Sequence, residues 1–111
     1  MRSGRFLVSC VPILSRSIDN RVTVIRLTGT LRCAPAEADT VRAALPRHLR
    51  LTRDEPGCMA FDVTETAPCV FSVSERFADR AAFEAHQVLT RASDWWRATR
   101  HMTRDFRLAE E

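Results

Sequence analysis

Four kinds of side chain in this sequence could do chemistry: a histidine at 86, carboxylates at 62 and 75, a cysteine at 58 and adjacent tryptophans at 95 and 96. An imidazole titrates near neutral pH, so His86 can take or give a proton within the range where a phenol or an acidic C–H reacts. The competing reading is a histidine on a helix flank that bonds a carboxylate such as Glu75 and only holds structure. Glu75 falls in step with Phe71, Val73 and Phe77 in VFSVSERF, which sets a carboxylate among apolar neighbours. There it could orient His86, keep a raised pKa and act as a base, or pair with one of the many arginines.

Trp95 and Trp96 sit about 100° apart on a helix, so the two rings cannot face the same way. One is expected in the core, the other against a flat ligand or a subunit seam. Arg26 and Thr28 lie on the mixed side of the first alternating run, where they could bind an anionic or carbonyl oxygen or simply face water. Cys58 reads as a small packing residue rather than a nucleophile, and strict alternation sets it on one side with Asp62.

These groups need elements to carry them. RVTVIRLTGTLR (21–32) alternates and is rich in β-branched types, which predicts a first strand. Residues 34–53 predict a helix with Pro35 in the first turn, a stripe of Ala38, Val41, Leu45 and Leu49, and a bend near Pro46. Pro56 and Gly57 stop it and turn the chain into a second strand, 57–64, with Met59, Phe61 and Val63 facing the core. A short link leads to a third strand, 69–77, in an antiparallel hairpin. Helical spacing returns through Ala82, Phe83, His86 and Leu89 with Asp79 as cap. A short helix around the tryptophans follows, then a closing strand with Met102, Phe106 and Leu108 inward. The order β-α-β-β-α-(α)-β predicts an α+β, ferredoxin-like domain: a four-stranded antiparallel sheet with helices on one face. Its second face stays uncovered. If that face carries Val, Phe and Met, pairing with a second copy would bury it.

At 111 residues the chain holds one core. Its net charge of +3 comes from arginines spread among carboxylates, without the basic face that nucleic acid requires. The four cysteines form no CxxC or Cys/His cluster, which gives no support to a metal site and favours free thiols in the cytoplasm. The uncharged stretch near the amino terminus is interrupted by Pro12 and is too short to span a bilayer. Residues 1–20 are expected to form an arm or extra strand, with Phe6, Val8 and Cys10 on one side, ahead of a domain over 21–111.

LTRDEPGCMAFDV followed by VFSVSERFADRAAFEAHQ resembles the antibiotic biosynthesis monooxygenase domain family. Glu55, Pro56, Gly57 and Cys58 fit its acidic-Pro-Gly-Cys turn, and Glu75, Phe77, Asp79, Phe83 and His86 fit its second motif. The resemblance implies a dimeric α+β barrel with a pocket between sheet and helices in each subunit. It also implies oxidation of small phenolic or quinol-like aromatics by molecular oxygen with no cofactor. In the haem-degrading branch a sheet asparagine and a tryptophan stand where this chain has Leu27 and Phe77, which argues against haem. The expected pocket combines His86 and Glu75 as catalytic groups with Arg26, Thr28, Phe71, Phe77, Trp95 and Trp96 as its walls. Two other readings use the same residues. One is an isomerase or other proton-shuttling enzyme, and the other is a non-catalytic dimer that binds a small molecule.

Overall fold

The structure, a computed structural model, describes residues 23–111; the amino-terminal arm expected over 1–20 lies outside the described residues. The elements run β1 (Ile25–Arg32), α1 (Ala38–Arg53), β2 (Cys58–Ala67), β3 (Val70–Phe77), α2 (Arg80–Arg91), α3 (Asp94–Thr99) and β4 (Thr103–Glu110). The sheet is antiparallel throughout in the order β2-β3-β1-β4, the ferredoxin-like arrangement. A 3-10 turn at Pro35–Glu37 leads into α1, and the Glu37 carboxylate accepts from the Ala34 N–H at 3.1 Å. Asp79 caps α2 by accepting from Ala82 N–H at 2.8 Å, and Ser93 caps α3 by accepting from Trp96 N–H. α1 continues through Pro46, which sits on its exposed side, where water can satisfy the carbonyl left without a donor.

Two apolar clusters fill the space between helices and sheet. One joins Ile25, Leu27, Val73, Phe77 and Phe83; the other joins Leu31, Val41, Phe71, Trp95 and Met102. Phe106 and Leu108 pack against the first cluster, so the closing strand buries the residues its alternation indicated.

Several expectations need correction. The ladder between β2 and β3 shifts between Cys58 and Ala60, so Met59 is the extra residue of a bulge and lies half exposed. Cys58 turns inward against the first cluster and parts from Asp62, which Arg53 holds at the surface at 3.0 Å. The buried stripe of α1 runs Ala38, Val41, His48, Thr52, with Leu49 only half-buried. Finally, the uncovered sheet face is not apolar: register and alternation give it Arg26, Thr28, Thr30, Ser72, Ser74 and Arg76.

Two glycines permit close approaches that shape the site. At Gly29 a Cβ would lie 2.0 Å from the Asp105 carbonyl oxygen and 2.8 Å from the Phe106 ring, so only glycine lets Phe106 lie across β1. At Gly57, φ is +85° and a Cβ would meet the Ala82 methyl at 2.4 Å. That contact seats the turn after α1 directly on the first turns of α2.

Candidate active site

The turn after α1 is tightly bonded. Glu55 N–H donates to the Thr52 carbonyl at 3.0 Å, Cys58 N–H to the Glu55 carbonyl at 3.1 Å, and Ala78 N–H to the Gly57 carbonyl at 2.8 Å. It aims the Glu55 carboxylate at α2, where Oε1 lies 2.9 Å from Nδ1 of His86. His86 is buried one turn beyond Phe83 on the same helical face, with Phe77 stacked on its ring at 4.8 Å and Phe61 edge-on at 5.7 Å. A carboxylate only accepts, so Nδ1 carries the proton and Nε2 keeps its lone pair. Nε2 faces Glu75 at 3.7 Å and the Thr90 hydroxyl at 3.3 Å.

Electrostatics separates the roles of the two carboxylates. Burial pushes the Glu75 carboxyl up to about 8, with the Glu55 charge adding to the rise. Glu75 therefore holds a proton at neutral pH, and its Oε1 has no hydrogen-bond partner. Burial lowers the His86 pKa, and the Glu55 carboxylate opposes that fall without cancelling it. A neutral imidazole beside a neutral carboxyl group at 3.7 Å is not an ion pair and is too long for a hydrogen bond. The pair is a base and an acid, both turned to the same space.

That space is a cavity of about 150 Å³ lined by Leu27, Leu31, Phe61, Glu75, His86, Trp95 and Phe106, with Gln87, Arg91, Trp96 and Arg104 also on its wall. A cavity of roughly this size holds one aromatic ring. His48 forms another part of the wall, stacked on Trp95 at 4.8 Å with 4° between the ring planes. Burial, then the repulsion His48 would meet from a protonated His86 and from Arg104, drives its pKa down to about 4, so this second imidazole is neutral too. The Arg104 guanidinium lies 4.8 Å from the Trp96 ring centroid and donates to the Thr99 carbonyl and hydroxyl, both at 2.7 Å.

Of the expected site residues, His86, Glu75, Trp95 and Trp96 converge on this cavity. Phe77 supports it through the stack on His86, while Phe71 belongs to the second core cluster. Arg26 and Thr28 do not join it: they lie on the opposite sheet face, and Arg26 pairs with Glu111 at 3.6 Å. Glu55 replaces Glu75 as the residue that orients His86. His48 and Thr90 join the site without a clear sign in the sequence. His48 follows Val41 by seven residues, a helical repeat that its polarity masks. Thr90 follows His86 by four, one turn on the same face. No group of three or more His, Cys, Asp or Glu able to hold a metal occurs among the described residues.

Fold and site together define a small ferredoxin-like α+β domain with a buried acid–base pair in a one-ring cavity. The chain belongs to the antibiotic biosynthesis monooxygenase family, whose sequence model matches residues 24–98. Solved structures agree on the fold. A "putative antibiotic biosynthesis monooxygenase" from Deinococcus radiodurans is 25% identical, with TM-score 0.61 over 78% of this chain and 89% of that one. A conserved Bacteroides thetaiotaomicron protein of unknown function, "possible oxidoreductase", is 18% identical with TM-score 0.71 over 82% of this chain and 100% of that one. A Nitrosomonas europaea protein described in the same words as the Deinococcus one is 19% identical, with TM-score 0.60 over 80% and 88%. Among curated proteins, none matches this chain. No helix among the described residues is long and apolar enough to cross a membrane.

Proposed function

We propose that this protein is a monooxygenase that oxidises a single-ring phenol or quinol with molecular oxygen and needs no cofactor. The observation that carries the reading is the neutral His86, held by Glu55 with its Nε2 turned to a protonated Glu75 inside a cavity of one-ring size. His86 Nε2 accepts the phenolic proton, and Glu55 stabilises the imidazolium that forms. The electron-rich phenolate then reduces oxygen directly. For a hydroquinone the balance is quinol plus O₂ giving hydroxyquinone plus water. Glu75 supplies a proton to the departing oxygen, and Arg104 favours the anionic ring.

Family membership supports a working homodimer, and the serine- and threonine-rich open face would make its seam polar. The free thiols Cys33, Cys58 and Cys69 support a reducing compartment, the cytoplasm.

Oxygen uptake with a panel of hydroquinones, wild type against His86→Ala, tests the reading. Uptake that falls in the variant supports it; uptake that persists unchanged removes the role of His86. The acid–base pair favours one second reading, an isomerase that moves a proton between carbons of a small ketone without oxygen. Solvent deuterium entering a ketone substrate while no oxygen is consumed would select it.

A further inference from the structure

The β1–β3 ladder pairs Leu31 with Phe71 and Arg32 with Val70, and one step further sets Cys33 against Cys69. Cys33 N–H donates to the Cys69 carbonyl at 3.0 Å, so the pairing continues to this position. Hydrogen-bonded antiparallel partners have Cα atoms about 5.5 Å apart, within the range a disulfide bridges. Alternation puts Cys33 on the face of Leu31 and Phe71, where it packs against their cluster, and the Cys69 thiol is near enough to help raise the Cys33 pKa.

The turn is fixed in this arrangement. Cys69 has φ of 65°, a left-handed conformation unusual for a residue with a side chain. Glu65, four residues before it, is gripped by Arg42 of α1 through two bonds at 2.8 and 2.7 Å. Both cysteines are half-buried, close enough to solvent for a small oxidant to reach. Neither takes part in the proposed reaction.

We propose that Cys33 and Cys69 are a reversible dithiol–disulfide pair that a hydroperoxide oxidises, stapling β1 to the β2–β3 turn. The Cys69 thiolate attacks one oxygen of hydrogen peroxide, the O–O bond breaks, and sulfenic acid and hydroxide form; the hydroxide takes a proton and leaves as water. Cys33 then attacks the sulfenic sulfur, and its own proton leaves with the oxygen as a second water. The two thiols lose two electrons, and the peroxide gains them. Cys33 is the resolving partner because burial and the nearby Glu37 and Glu65 carboxylates hold its thiol protonated. The bond would tie the strand that carries Leu31, a wall of the cavity, to its neighbour. It would also close a long loop that contains α1 and β2.

The test is peptide mapping of the full-length protein after hydrogen peroxide or dithiothreitol, followed by alkylation. The expected result is a linked pair of peptides carrying residues 33 and 69, two hydrogens lighter than the free pair and separated again by dithiothreitol. Oxidised protein should melt roughly 5–10 °C higher than reduced protein. The shift should vanish in Cys33→Ser and in Cys69→Ser. Full alkylation of both residues after peroxide, oxidation to sulfinic acid without a link, or a link from either one to Cys10, Cys58 or another chain would each overturn the proposal. The wild-type map decides the outcome even if a serine variant fails to fold.

Discussion

Glu55 and His86, 31 residues apart, are joined by a 2.9 Å hydrogen bond that fixes which imidazole nitrogen can act as base. The bond exists because Gly57 lets the turn after α1 rest on α2 with no side chain between them. It couples the family's two sequence motifs into one device.

Glu55→Gln keeps an oxygen that can accept from Nδ1 but removes the charge that stabilises imidazolium. Activity should fall by about 10- to 100-fold. Because the Glu55 charge raises both the His86 and the Glu75 pKa, both limbs of the pH–rate profile should move to lower pH. A profile left in place would contradict this coupling.

Glu75 is raised from 4.5 to about 8, so its folded form keeps a proton that the unfolded chain releases. The stability this group contributes is present in full below the unfolded value. It drains away as pH climbs from about 4.5 to 8. Glu75→Gln should escape that loss, gaining on wild type by on the order of 4 kcal/mol at the alkaline end. Urea denaturation at pH 5 and pH 8 measures the difference; an equal gain at both pH values would rule out a buried neutral carboxyl group.

His48 has the opposite sign. Its pKa is lowered from 6.5 to about 4, so the unfolded chain binds a proton that the folded chain refuses. Stability from this site is present above 6.5 and is lost as pH falls toward 4. His48→Phe keeps a ring on Trp95 and removes the titration. Thermal melts from pH 7 to pH 4 should show wild type losing stability faster than the variant, by up to about 3 kcal/mol.

Gly57→Ala should cost about 1–3 kcal/mol from its left-handed backbone and the clash with Ala82. Since the clash pushes α2 from the turn, oxygen uptake should drop with stability although residue 57 touches no substrate. A variant with wild-type melting and activity would show that the close approach does not set the Glu55–His86 distance.

The alternation of Phe71, Val73, Glu75 and Phe77 is enough to put a carboxylate among apolar side chains, and β3 buries all four. The helix of Phe83 and His86 and its Asp79 cap are equally plain, because local spacing and capping are written in neighbouring residues. The bulge at Met59 is not, since an extra residue in β2 is visible only against the register of its partner β3.

Local pattern in the chain therefore determined the strands, the helices, their order and the burial of Glu75. Tertiary structure alone decided that Glu55 rather than Glu75 orients His86, that His48 walls the cavity, and that Arg26 and Thr28 face away from it. The reason is physical. Periodicity reports which side of an element is apolar, whereas the partner of a buried polar group depends on packing between elements distant in sequence, and here on the missing side chain of Gly57.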